Sequence, residues 1–156
     1  MFSRNQIKTF AADVRRAQFA ALALLLAAAA PAEGGARLDG PIPALVTRII
    51  DGDTIEVRAL IWLEQEIVVK VRLAGVDAPE MTAACAEARQ AAQSARDLVV
   101  REVEGARVML TEIHGGKYFG RVIGRVLTPK GEDLSSLLLA AGLATPYSGG
   151  RRSAMC

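Results

Sequence analysis

The sequence predicts a mainly β domain with helices (α+β): a five-stranded barrel, one helix between its third and fourth strands, and a short helix near the end. Three observations carry this expectation. Apolar residues alternate with period two through Thr54–Trp62 and Glu66–Ala74. One segment, Ala83–Arg101, switches to a spacing of three and four. The resulting order is three strands, a helix, two strands and a helix.

Each element has a local reason. Residues 33–43 (EGGARLDGPIP) are rich in Gly and Pro and read as a linker, followed by a domain over 44–156. The first strand, Ala44–Ile50, ends at Asp51-Gly52, a turn pair between apolar runs. In the second, Ile55, Val57, Ala59 and Ile61 share one face; Thr54, Glu56 and Arg58 share the other. Glu64-Gln65 reads as the next turn. In the third strand Ile67, Val69, Val71 and Leu73 point one way, and Val68, Lys70 and Arg72 the other. Pro79 breaks the β pattern. Ala84, Ala88, Ala91, Ala95 and Leu98 then form the apolar stripe of the helix. Gly105 separates it from a fourth strand, Ala106–Ile113, and the loop His114–Lys117 leads to a fifth, Phe119–Leu127. Thr128–Gly131 is a turn, Asp133 an N-cap for Leu134–Ala141, and Gly142 a stop. A five-stranded barrel with its helix in this place is the OB-fold arrangement.

Composition narrows the function. The chain has 156 residues, enough for one ordinary domain. An apolar fraction of 51% excludes a disordered chain. Two Cys and one His exclude a four-cysteine zinc site and any multi-histidine metal site. No run of about 18–20 apolar residues is present, so no full membrane span is expected. Residues 1–32 read as an export signal: basic Arg4, Lys8, Arg15 and Arg16, an Ala/Leu-rich run from Ala17, and Ala30-Pro31-Ala32 at the cleavage position. A periplasmic or secreted protein is therefore expected, with an uncleaved signal anchor as the minor alternative. That segment holds four basic residues and one acid, Asp13. Without it the 19 basic and 17 acidic residues become 15 and 16, a net charge of −1. The exported chain is thus no general polycation, and affinity for a polyanion has to come from local placement or a bound cation.

The chemistry-bearing residues fall in short clusters: Asp51-Gly52-Asp53-Thr54 at a turn, Arg72 through Glu80 where the third strand ends, and Lys117-Tyr118-Phe119-Gly120-Arg121. Each alone has a plain structural explanation; an Asp-Gly pair makes hairpins, and Asp77 with Glu80 suits the start of a helix. Together they suit phosphodiester hydrolysis. Carboxylates such as Asp53 and Asp77 hold a hard cation, which polarises a phosphoryl oxygen. A further carboxylate orients or deprotonates water, and guanidiniums grip phosphate bidentately.

The strings Val46–Thr54, Val71–Glu80 and Lys117–Arg121, in this order and at this spacing, resemble the thermonuclease (staphylococcal nuclease-like) family over roughly residues 44–147. The resemblance implies an OB-fold and Ca2+-dependent cleavage of DNA and RNA at the bond to the 5′ oxygen. It assigns Asp53 and Asp77, with the backbone carbonyl of Ala78, to Ca2+. It assigns Arg72, Glu80 and Arg121 to catalysis, and Lys117 and Tyr118 to substrate binding. Nucleic acid is the expected partner, of a monomer without a stable protein partner. This chain departs from the best-known pattern in having Ala78 for Thr, an additional Phe119, and a short loop after Glu80. An OB-fold module that binds single strands without cutting them is the alternative reading; a pure binder has no need of cation ligands.

Two further expectations concern side chains outside this set. Cys85 and Cys156 are expected to form a disulfide, which an exporting compartment permits. Trp62 and Tyr147 are expected to pack rather than touch substrate.

Overall fold

The computed structural model describes residues 36–150 and 156. The expected export signal, residues 1–32, lies outside the described residues. The elements are β1 (Arg37–Leu38), β2 (Ile42–Ile49), β3 (Thr54–Trp62), β4 (Gln65–Leu73), β5 (Val76–Asp77), α1 (Ala86–Val103), β6 (Arg107–Gly115), β7 (Arg121–Leu127), α2 (Leu134–Ala140) and β8 (Thr145–Pro146).

Five strands close a barrel. β2 pairs with β3 and β3 with β4, both antiparallel. β4 pairs with β7 in parallel, and β6 joins β7 and β2 antiparallel to complete the ring. Closure leaves these strands no open edge. The inward faces are those the alternation selects: Ile55, Val57 and Ala59 from β3, Val71 and Leu73 from β4, Val108 and Leu110 from β6. Helix α1 adds Ala95, Leu98, Val99 and Val103, and α2 adds Leu134 and Leu138. Asp133 caps α2 by accepting from the Ser135 amide at 3.2 Å, and the Ser135 hydroxyl donates to the Ala74 carbonyl at 2.9 Å. Helix α2 is thereby tied to the chain just beyond β4. Among the described residues no helix is long and apolar enough to cross a membrane.

The structure differs from the expected elements in four places. The segment expected to link begins the fold instead: Arg37 and Leu38 pair with His114 and Ile113, and Pro43 with Met109. Gly40, at φ 80°, makes the turn between β1 and β2 that its composition disguised as linker. The expected loop over 114–117 is shorter, because His114 and Gly115 continue β6 opposite Ile123 and Val122. Helix α1 starts at Ala86 rather than Ala83, so Ala84 lies outside it and exposed, while Arg89 donates to the carbonyls of Ala83 and Ala84 at 2.8 Å. At the far end of the β3–β4 hairpin the alternation outruns the core: Ile61 and Ile67 remain 45% and 44% exposed. Trp62, at 69% exposure, is not packed as expected.

Cys85 and Cys156 are bridged, across a sequence separation of 71. Closing a loop of this length removes about 4 kcal/mol of unfolded-state entropy in the chain-entropy account. Cys85→Ser is therefore expected to lower unfolding free energy by about that amount in urea titration. An unchanged midpoint would show the bridge to be thermodynamically idle.

Candidate active site

The β2–β3 turn is built to aim Asp53 inward. The Asp53 amide donates to Asp51 Oδ1 at 3.0 Å, the self-capping that Asp provides in turns. Gly52 lies against α1: a Cβ there would stand 2.7 Å from the Ala95 methyl and 2.9 Å from that of Ala78. Only Gly lets the turn approach this closely. Asp53 is consequently 3% exposed.

Arg72 belongs to the outward face of β4, opposite Thr54, yet it is 7% exposed. The chain folds back over it. Arg72 Nη1 donates to Asp53 Oδ1 at 2.6 Å, and Nη2 donates to Asp77 Oδ1 at 2.6 Å and to the Val76 carbonyl at 3.4 Å. The Tyr147 ring centroid lies 5.7 Å from the guanidinium carbon. Asp53 Oδ1 also accepts from the Thr54 hydroxyl at 2.9 Å, and its Oδ2 from the Ala78 amide at 3.1 Å. One guanidinium thus serves two carboxylates, Asp53 buried and Asp77 half-buried.

The acidity of Asp53 is shifted by its surroundings. Burial pushes its carboxyl above the ordinary value, and nearby Asp51 adds to the push. Arg72 and the hydrogen bonds from Ala78 and Thr54 oppose it without cancelling it. The folded protein therefore holds this proton to higher pH than the unfolded chain does. The contribution of Asp53 to stability falls as pH rises through the interval above the ordinary carboxylate value. Asp53→Asn, which leaves Arg72 its Asp77 partner, is expected to raise the unfolding midpoint at pH 7 in chelator. The gain should shrink as pH falls towards 4, because the folded wild type takes up the proton before the unfolded chain does. Denaturation at both pH values checks this; a loss at pH 7 that exceeds the loss at pH 4 contradicts it.

The same donors bear on a cation. Hard carboxylate oxygens whose negative charge outweighs the one guanidinium between them fit a hard divalent ion of the Ca2+ class better than a soft one. Among the described residues no three His, Cys, Asp or Glu side chains form a metal cage. Such an ion would rest on Asp53 and Asp77, with backbone, water and substrate oxygens completing its shell.

Two further residues extend the site. Glu80 is exposed and shares with Asp77 the wall of a cleft of about 450 Å³, lined mainly by small apolar side chains such as Ala88 and Ala144 and also by Cys156. Arg121 starts β7 opposite Lys70, while Arg72 stands opposite Ile123. Arg121 and Arg72 therefore lie on the same face of neighbouring strands, two positions apart. The Tyr118 ring lies 4.8 Å from the Arg121 guanidinium carbon and 5.9 Å from the Lys117 ammonium. Arg121 Nε is buried and makes no hydrogen bond among the described residues.

Of the residues singled out in the sequence, Asp53, Arg72 and Asp77 are in direct contact. Glu80 adjoins Asp77 through the cleft, and Arg121 lies beside Arg72 through the strand pairing. Lys117 and Tyr118 sit on the exposed loop before β7. Ala78 enters the site through its amide, on Asp53. Tyr147, expected to pack, does so on Arg72: it follows β8, whose Thr145 pairs with Asp77, and this pairing brings its ring to the guanidinium. No local motif marks it.

Known proteins similar to this chain place it in a family. Residues 70–154 match the family described as Staphylococcal nuclease homologue. Two relatives, each called an uncharacterized endonuclease, from Escherichia coli and Escherichia coli O157:H7, are 31% identical over 102 residues. The aligned stretch covers 65% of this chain and 59% of each relative, so the chain spans well under two thirds of their length. The chain belongs to the staphylococcal nuclease-like family. The matched segment runs from β4 to the tail; Asp53 lies before it and joins the site through its contact with Arg72.

Proposed function

We propose that the protein is an exported, Ca2+-dependent nuclease that hydrolyses phosphodiester bonds in DNA, RNA or both. The observation that carries this reading is Arg72 held between Asp53 and Asp77, at 2.6 Å from each, beside the cleft that Glu80 lines. The two carboxylates fix the guanidinium before substrate arrives, which is the preorganisation that makes charge stabilisation effective. Of its five N–H donors, two remain for phosphate oxygens. Arg121, on the adjoining strand, adds a second cation for the charge that builds on the phosphoryl group. Glu80 takes the proton of the attacking water or orients it, and its exposure at the cleft gives water access. Lys117 and Tyr118 hold the strand beyond the reacting phosphate. Asp53, Asp77 and the Ala78 carbonyl would hold a Ca2+ ion, which when bound would supply Lewis-acid polarisation of a phosphoryl oxygen. The Cys85–Cys156 bridge supports an oxidising compartment and hence export.

Release of acid-soluble nucleotides from DNA and from RNA in the presence of Ca2+ tests the reading. Release from either is expected; release from neither contradicts it.

A further inference from the structure

The loop between β6 and β7 carries two aromatic residues in different circumstances. Tyr118 has its ring against the cationic heads of Arg121 and Lys117. Phe119, beside it, is fully exposed at 109%, more than any other large hydrophobic side chain described. It contributes nothing to the core. The loop itself is anchored: the Lys70 amide donates to the Gly120 carbonyl at 3.4 Å, the Gly116 amide donates to the Arg121 carbonyl at 3.1 Å, and the Arg121 amide donates to the Tyr118 carbonyl at 3.2 Å. Phe119 is thus presented to solvent from a backbone tied to β4 and β7, with Lys70, Lys117 and Arg121 on the same stretch of surface. An uncommitted aromatic face among cations is what a single-strand platform requires: cations follow the phosphates, and the ring stacks a base of any identity.

We propose that Phe119 stacks an unpaired base of the substrate strand, one or more nucleotides from the phosphate held at Arg72 and Arg121. The inference rests on the nuclease reading for why a strand passes this loop, and it adds a base-contacting residue to that reading. In a duplex the base faces are occupied by their neighbours, so the ring finds a partner only in single-stranded or frayed nucleic acid.

The test is binding of the full chain, in EDTA, to fluorescently labelled oligothymidylate and to an abasic strand of equal length, read by anisotropy. Phe119→Ala is expected to weaken oligothymidylate binding about five- to a hundred-fold, the range for one stacked base. Abasic binding should be unchanged, and Phe119→Trp should keep wild-type affinity for both. Equal affinity of wild type and Phe119→Ala for oligothymidylate, or an equal loss on both strands, overturns the inference. A wild-type protein that binds with this pattern yet cuts nothing when Ca2+ is added contradicts the nuclease reading and leaves the stacking role standing.

Discussion

Arg72→Ala is expected to lower the rate of strand cleavage by on the order of 10²–10³ and to reduce stability by about 3–5 kcal/mol. The rate follows from losing a preorganised cation where charge develops. The stability loss has a separate origin. The Arg72, Asp53 and Asp77 side chains are 8%, 5% and 10% exposed. Removing the guanidinium leaves two carboxylates in a poorly solvated place with no countercharge. Arg72→Lys should recover little, because one ammonium cannot reproduce a fork that meets two carboxylates and a carbonyl. Ca2+ should restore part of the lost stability of Arg72→Ala, since a divalent ion between the carboxylates replaces the missing charge. Urea titration with and without Ca2+, alongside initial rates for the folded fraction, separates the two effects.

Arg121→Ala is expected to cause a comparable rate loss, on the order of 10²–10³, with a stability change within about 0.5 kcal/mol. Arg121 makes no ion pair described in the structure, and its principal neighbour is the exposed Tyr118 ring. Its removal strands no buried charge. The contrast between the two arginines is informative: equal stability losses would mean that Arg121 is structural, and an unchanged rate would remove it from the catalytic set.

Most of the barrel was legible because two long strands obey a strict period of two, and inward faces read from Ile55, Val57 and Val71 are buried. The helix between the third and fourth strands followed from the switch of period over Ala83–Arg101, and it spans Ala86–Val103. What escaped were pairings without a periodic signal. Arg37–Leu38 and Thr145–Pro146 are two-residue strands whose existence depends on partners at His114 and Asp77, distant in sequence. For the site, Asp53, Arg72 and Asp77 were marked by turn and strand-end motifs. The burial of Arg72 was not legible, because alternation assigns it to the outer face of β4; it arises from the chain folding back to lay Asp77 and Tyr147 over that face. Phe119 reads in the sequence only as an extra residue, and its exposure becomes visible once the anchors of its loop are known.

The most direct measurement of the central claim is plasmid cleavage by the full chain, followed first in Ca2+, then after excess EDTA, then after Ca2+ is restored. Nicking and linearisation that stop with the chelator and resume with the ion are the expected result. Turnover undiminished in EDTA would contradict the role assigned to the paired carboxylates Asp53 and Asp77.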